Sequence, residues 1–369
     1  MYFVKHNIEF DYERMTVLLG KMKAVVLTAP NEYSVEMIDI PKPAPREVLV
    51  KIMSVAVCGS DPALLACQSY QELTLPFVIG HEFSGEVAAL GEGVTELKVG
   101  DRVCGESHCG CGYCLNCKSG AYNLCLNFGN TDTGHRHYGF TVNGCYAQYN
   151  SYNIKTLTKI PDNISFDEGA LCDPAGTSFN AVTQTGITPG GFSLTIGDGP
   201  IGIFVMQFAK AMGSQTIIVG SGSRLALAKK LGADYTIDFE STADIPGAVM
   251  EITGGLGADE AFECSGAPPT PAQAINSVKR GGNIALVGMS SITEMNIPVR
   301  KVLLDQIHIH GVRANPNTTR HVVAMFASGR INVKDVITHH FSIDEVKQAV
   351  DTFVSGKDGT MKVLLHPWE

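Results

Sequence analysis

One tryptophan in 369 residues, no run of basic residues, and no apolar stretch of membrane-spanning length mark what this sequence lacks. A helix that crosses a bilayer needs about 20 consecutive apolar residues, so no such span is expected and no membrane partner. Lys and Arg number 28 against 37 Asp and Glu, a formal net charge of −9. Proteins that hold a phosphate backbone do so with surplus Lys and Arg, which argues against a nucleic-acid partner. Charged residues are only 18% and hydrophobic residues 44%, which excludes a disordered chain and supplies a large core. The first 21 residues hold no apolar leader, since Glu9, Asp11 and Glu13 interrupt them. They read as an N-terminal extension to a fold starting at Met22, and the missing leader points to the cytoplasm. A chain of this length predicts about two domains.

Cysteine is plentiful instead. Six of the eleven, at 104, 109, 111, 114, 117 and 125, crowd into one short segment. In a reducing compartment such a cluster binds metal rather than forming disulfides, and an odd total leaves one thiol over in any all-disulfide scheme. Cys111, Cys114, Cys117 and Cys125 supply four closely spaced thiolates, the donor set of a closed, tetrahedral structural Zn²⁺ site. Cys109 is then a bystander.

From Met22 to about Asn150 the chain is rich in turns, with strand-like runs at Val48–Val57 and Gly85–Leu90. That pattern predicts a β-barrel-like domain. From about Ser193 the texture changes. Apolar runs at 194–196, 216–219, 260–263, 284–287 and 308–312 alternate with helical stretches at 201–212, 224–231 and 271–278. Alternation of this kind predicts βαβ units and a parallel sheet. The tail from Ile331 adds one amphipathic helix (343–354) and one strand (361–365) that suit either domain.

Between the first apolar run of that second region and its helix lies Gly197-Asp-Gly199-Pro200-Ile201-Gly202. In this context a GxGxxG turn binds a dinucleotide: the glycines permit the tight turn, the approach of a pyrophosphate and close helix packing. The next strand should end in an acid if the cofactor is NAD, and here again something is missing: Gly220-Ser221-Gly222-Ser223-Arg224 has no carboxylate. A carboxylate would bind the ribose 2′-OH and repel a 2′-phosphate, so Ser221, Ser223 and Arg224 lean towards NADP. The plainer alternative is an Arg224 that opens the next helix in solvent.

A second, distributed constellation comprises Cys58-Gly-Ser60-Asp61, Gly80-His81-Glu82 and Asp173-Pro174. Thiolate, imidazole and carboxylate together make a catalytic Zn²⁺ site with one position open. Singly, a buried Cys or His is more often plain core; the joint appearance beside a dinucleotide turn gives the set its weight.

These residues together resemble the zinc-dependent medium-chain alcohol dehydrogenases. The matching segments are CGSD (58–61), GHEFSGEV (80–87), VGDRV (99–103), CGYCLNC with its fourth cysteine, GDGPIG (197–202), RLALAKKLGAD (224–234) and FECSGAPP (262–269). Around His108, at 171–182 and at 337–346 the sequence is most similar to threonine and polyol dehydrogenases. The resemblance implies an α/β architecture: a GroES-like β-barrel catalytic domain (22–177, zinc lobe about 104–128, completed by 315–369) and a Rossmann domain (178–314). It implies Cys58, His81 and Asp173 as catalytic zinc ligands, with Glu82 an exchangeable ligand or a partner behind them. It implies two zinc ions per chain, NAD(P), and hydride transfer with a secondary alcohol: a polyol, a hydroxy amino acid or an alicyclic alcohol. A homodimer or homotetramer is also implied. Asp61 would orient His81, and Cys172 competes with Asp173, although neighbours on a strand point opposite ways.

Ser60 is placed to take the hydroxyl proton, but Pro62-Ala63 stand where many relatives carry a relay histidine, and His108 is offered for that gap or for substrate contact. An NADPH-dependent carbonyl reductase, or a member that binds cofactor without turnover, are the alternatives. His135 and His137 read as a plain glycine-rich loop, and His339-His340 as a strand end. Asp162, Asp167 and Glu168 read as solvated or capping residues, and Arg313 and Asn315 as cofactor or subunit contacts. The stripe Phe204, Phe208, Met212 reads as core.

Overall fold

The computed structural model describes residues 20–69, 72–289 and 292–369. The extension proposed for residues 1–21 lies, except for its last two residues, outside them. A seven-stranded sheet organises the first domain. Its order is Ile337–Ser342, Lys362–His366, Glu47–Ala56, Glu82–Leu90, Arg102–Gly105 and Leu157–Lys159, with Tyr149–Asn153 also paired to Glu47–Ala56. The C-terminal tail therefore supplies two strands to the sheet that begins near the N-terminus, with Leu364 opposite Ala56 and Leu365 opposite Val55. Val48, Val50, Ile52, Phe83, Tyr146, Val363 and Leu365 form its dry interior.

The second sheet is six-stranded and parallel, in the order Tyr235–Asp238, Gln215–Gly220, Phe192–Ile196, Ala258–Glu263, Val278–Leu286, His308–Gly311. In chain order this is 3-2-1-4-5-6, the doubly wound arrangement in which ligands bind outside the strand ends where the order reverses. That reversal falls between Phe192–Ile196 and Ala258–Glu263. The strand Tyr235–Asp238 has no apolar run, and its tyrosine is exposed at the sheet's edge. Periodicity gave no sign of it.

The helix Pro200–Ala211 is apolar nearly all round, so it is buried on most faces. Phe204 and Phe208 lie in the core that joins it to helix Cys172–Thr185 and to Leu364 of the tail, and Met212 packs on that core just past the helix end. Truncating Phe208 to alanine would cost about 3–5 kcal/mol by the usual cavity term. Among the described residues no helix is long and apolar enough to cross a membrane.

Candidate active site and metal centres

Register brings the distributed constellation together. Ala56 at the end of one strand pairs with Glu82 at the start of its antiparallel neighbour. Cys58 and His81 follow and precede those residues, so the strand ends meet. Gly80 makes this possible: its φ is +94°, and a Cβ there would stand 2.1 Å from the Tyr146 ring. One ligand atom from each of Cys58, His81 and Glu82 lies within 4.8 Å of the others. Asp61 is fully buried behind them, its Oδ2 accepting from the Cys58 backbone N–H and the Tyr146 hydroxyl, both at 2.8 Å.

The orienting contact expected between Asp61 and His81 is incomplete. Asp61 Oδ1 and His81 Nδ1 face each other at 3.8 Å, beyond hydrogen-bond reach, and both are buried without a partner. Two orphaned atoms aimed at one another suit a ring that donates through Nδ1 and keeps Nε2 for a metal.

Asp173, the third ligand the resemblance implies, lies near His81 with its carboxylate hydrogen-bonded to neighbours. It stands outside the three-residue group, and its Oδ2 accepts from the Ser107 N–H (3.3 Å) and the Asn315 amide (3.2 Å). Asn315 therefore meets this carboxylate. The neighbouring Cys172 is no competitor, but not for the reason of strand alternation. Both residues open the helix Cys172–Thr185, and Cys172 is buried in the core.

The carboxylate of Glu82 carries a partner that sequence reasoning missed. Lys362, on the tail strand and 3% exposed, donates to Glu82 Oε2 at 2.5 Å and to the Val57 carbonyl at 3.1 Å. Burial alone would lower the lysine pKa, yet the charges of Glu82 and Cys58 raise it above its ordinary value, so the ammonium stays protonated.

A column of rings forms the wall beside this group. His81 lies 4.9 Å from Phe140, Phe140 stacks on His137 at 4.0 Å, and His137 stacks on His108 at 3.9 Å. His137 is thus not a plain loop residue; it is 2% exposed, and its Nδ1 has no partner. His135 is also buried, against Phe128, with Nδ1 accepting from the Gly129 N–H. His108 is 4% exposed, and its Nδ1 is likewise unspent. Burial, then the positive charge of Arg313 and the nearby His135 and His81, holds the His108 pKa down to about 3. That shift favours the neutral ring, whose nitrogens are then available for hydrogen bonds. Ser60 begins the helix Asp61–Leu65 without capping it, and its buried hydroxyl has no partner.

The sulfur separations in the cysteine lobe suit a tetrahedral Zn²⁺ site. Four sulfurs about 2.3 Å from one zinc stand about 3.8 Å apart. The Cys111–Cys117 and Cys114–Cys125 pairs are each 3.9 Å apart. Backbone N–H groups of Cys117 and Leu126 point at Cys114 Sγ, and the Asn127 amide points at Cys111 Sγ. Burial opposes ionisation of Cys111, yet N–H groups of Tyr113 and Cys114 and that amide bring the thiol down to about 6. Cys109 is buried apart from the quartet, and burial pushes its thiol up to about 11. All eleven cysteines are free thiols. Behind the lobe Glu106 accepts from the Tyr122 hydroxyl through both oxygens, a pair that no motif had flagged.

The GxGxxG turn fits a dinucleotide. Gly197 has φ +111°, a Cβ on Gly202 would stand 1.9 Å from the Gly197 carbonyl, and space lies open over Gly199. No side chain caps the helix that begins at Pro200, which leaves its first N–H groups for an anion. Opposite, Glu263 ties down the loop after its strand by accepting from the N–H groups of Ser265 and Gly266 and from Thr270 Oγ1.

The ribose end departs from expectation. Arg224 donates through Nε and Nη2 to the Thr360 carbonyl, at 3.0 and 2.7 Å, so it neither faces plain solvent nor stands free for a phosphate. A carboxylate does reach the strand end, but from inside the glycine turn: Asp198 Oδ2 accepts from the Ser221 N–H at 2.8 Å.

Of the remaining candidates, Glu168 completes a capping box with Ser165, and Asp162 lies exposed on the surface. Asp167 instead pairs with His366 and lies 3.6 Å from His340. The Arg313 guanidinium lies over the Phe128 ring at 4.7 Å.

A GroES-like sheet, a doubly wound nucleotide sheet and two thiolate-containing donor sets define an NAD(P)-dependent zinc alcohol oxidoreductase. Comparison with known proteins agrees. Residues 44–162 match the alcohol dehydrogenase GroES-like domain and residues 200–328 the zinc-binding dehydrogenase family. Sorbitol dehydrogenase of Bacillus subtilis is 34% identical over 94% of this chain and 97% of its own. L-threonine 3-dehydrogenase of Pyrococcus furiosus is 34% identical over 94% of this chain and 99% of its own. Among solved structures, a zinc-binding dehydrogenase from Sinorhizobium meliloti bound to NADP has a TM-score of 0.86 at 29% identity, covering 94% and 100% of the two chains. An Escherichia coli alcohol dehydrogenase with NADH has a TM-score of 0.85 at 28% identity, covering 94% and 99%. The chain belongs to the zinc-dependent medium-chain alcohol dehydrogenases, near the polyol and threonine dehydrogenases.

Proposed function

We propose that this enzyme transfers hydride between NAD(P) and a small secondary alcohol bearing a further polar group, of the polyol, hydroxy amino acid or alicyclic class. The observation that carries the reading is the group of half-buried Cys58 with buried His81 and Glu82, beside a column of stacked histidines. A zinc ion held there makes a bound hydroxyl more acidic and polarises a carbonyl in reverse. Cys58 and His81 would hold it with Glu82, and Asp173 becomes a further ligand by giving up Ser107 or Asn315. The cysteine quartet would hold a second. Ser60 takes the hydroxyl proton, because its buried Oγ has no other partner. With Pro62 and Ala63 next to it, the proton then leaves through water or the cofactor ribose. Neutral His108 and His137 offer ring nitrogens to the second polar group of the substrate.

Gly197, Gly199, Pro200, Ile201 and Gly202 receive the pyrophosphate. At the ribose, Ser221 and Ser223 still favour a 2′-phosphate, but Asp198 repels one and Arg224 is engaged elsewhere. We therefore expect NADP to be preferred by no more than about tenfold, near 1.4 kcal/mol. Eleven free thiols support a cytoplasmic setting. Exposed Leu303 and Leu304 lie close in sequence to His308–Gly311, which lies at the end of the parallel sheet, and they support a homo-oligomer.

The test is an absorbance screen with NAD and NADP against threonine, sorbitol-type polyols and alicyclic alcohols, run beside Cys58→Ser. Turnover with one class, at least about 100-fold lower in a folded Cys58→Ser, is the expected result. Equal rates in the variant would refute the site.

A further inference from the structure

A third donor group lies away from both zinc sites. Asp167 on helix Phe166–Ala170, His340 on strand Ile337–Ser342 and His366 at the end of strand Lys362–His366 bring one ligand atom each within 4.8 Å of one another. Asp167 uses both oxygens: Oδ1 lies 2.9 Å from His366 Nε2, and Oδ2 lies 3.6 Å from His340 Nδ1. The two histidines occupy one face of a parallel strand pair, because His340 is opposite Leu364 and His366 lies two residues on. Their rings are 5.3 Å apart.

The other nitrogen of His366 makes no hydrogen bond but has a carboxylate close by. Its Nδ1 lies 3.2 Å from Glu369 Oε1. A histidine that binds metal through one nitrogen characteristically donates its other N–H to a carboxylate, which fixes the ring and makes the free nitrogen a better donor. Asp167, His366 and Glu369 line one recess together with Met53, Phe166 and Trp368, so an ion can reach the group from solvent.

We propose that Asp167, His340 and His366 form a third, exchangeable site for a divalent transition metal, with Glu369 orienting His366. Two imidazoles and a carboxylate select Zn²⁺, Ni²⁺ or Cu²⁺ over Mg²⁺ or Ca²⁺. The partly exposed His340 leaves open positions for water, so the ion exchanges readily. Its effect is mechanical. Lys362 and His366 lie four residues apart on one strand and so share a face, with Lys362 reaching Glu82 and His366 reaching Asp167. A metal at the outer end fastens the strand that delivers Lys362 to the active site.

Zinc-loaded enzyme held in a buffer that keeps its tight sites full is titrated with further Zn²⁺ by calorimetry, with thermal melting alongside. Wild type is expected to take up one extra equivalent and to melt higher. Glu369→Gln weakens that uptake by about 10–100-fold. His340→Ala/His366→Ala abolishes it while binding of NADPH is unchanged. Superposable isotherms for wild type and the double variant, or no extra uptake, overturn the proposal and leave an ion pair only. If the double variant folds poorly, Cu²⁺ on wild type decides: hyperfine coupling to two nitrogens supports the site, and an oxygen-only spectrum overturns it.

Discussion

Replacing Lys362 by methionine keeps the length and apolar stem of the side chain and removes only its charge. Glu82 is then a buried carboxylate, 2% exposed, with no cation beside it. At the observed 2.5 Å an effective dielectric of about 20 gives an attraction of roughly 7 kcal/mol. Desolvation of the two ions takes several kcal/mol of this back, and deleting Lys362 recovers only its own share, leaving that of Glu82 uncompensated. Breaking such a pair costs about 3–5 kcal/mol.

On the proposed function, a metal held by Cys58 and His81 would supply an alternative counter-charge to Glu82. The loss should therefore depend on whether the metal can bind. Urea unfolding of Lys362→Met, compared with its parent, is measured in the wild-type background and again in Cys58→Ser, which cannot hold the catalytic ion. The expected loss is about 3–5 kcal/mol in the Cys58→Ser background and less than half of that in zinc-loaded wild type. An equal loss in both backgrounds, or a loss under about 1 kcal/mol in either, would refute the argument that Lys362 and the metal share one carboxylate.

Two further outcomes concern Glu106 behind the cysteine lobe and Asp198 in the glycine turn. Burial pushes the Glu106 carboxyl up to about 8, against the Tyr122 hydrogen bond, so the folded chain keeps a proton that the unfolded chain has lost. The contribution is full below about pH 4.5 and falls as pH rises through 8, by at most about 1.4 kcal/mol per unit. Glu106→Gln should flatten that decline in a stability–pH series, and an unchanged slope would show that Glu106 is not its source. At the ribose end, Asp198→Ala removes the carboxylate that reaches Ser221 and should raise the NADP to NAD ratio of kcat/KM several-fold; an unchanged ratio would place the ribose elsewhere. Asp198 also closes the more obvious route, since a side chain at Gly220 would meet its Oδ2 at 2.2 Å.

How much of this could be read from the chain depended on sequence distance. The cysteine quartet spans 15 residues, and its four ligands are set by one loop, so spacing alone specified it. The GxGxxG turn is equally local. Cys58, His81 and Glu82 were identifiable as residue types, but their meeting depends on the register of Ala56 with Glu82. Asp173 comes instead from a helix whose first turn aims the carboxylate at Ser107 and Asn315, close to His81. No periodicity in LCDPAG conveys that direction. His137 was passed over for a related reason: a glycine-rich loop usually lies in solvent, and only the stacking of Phe140 and His108 on its faces makes it a wall of the site.

Lys362 is the extreme case. It lies 280 residues from Glu82 in the chain, within a strand that reads as ordinary. A lysine in KVLLH gives no hint of burial, because lysine is almost never buried unless paired. Its partner is known only once the tail is laid against Glu47–Ala56. The same strand then explains why one end of the chain matters to chemistry near the other. The tail contributes the cation that pairs with the Glu82 carboxylate, the Thr360 carbonyl that accepts from Arg224, and the His366 ring that meets Asp167. A substitution that loosens this strand should therefore disturb Glu82, Arg224 and Asp167 together, and stability with them, although the three lie far apart in the chain.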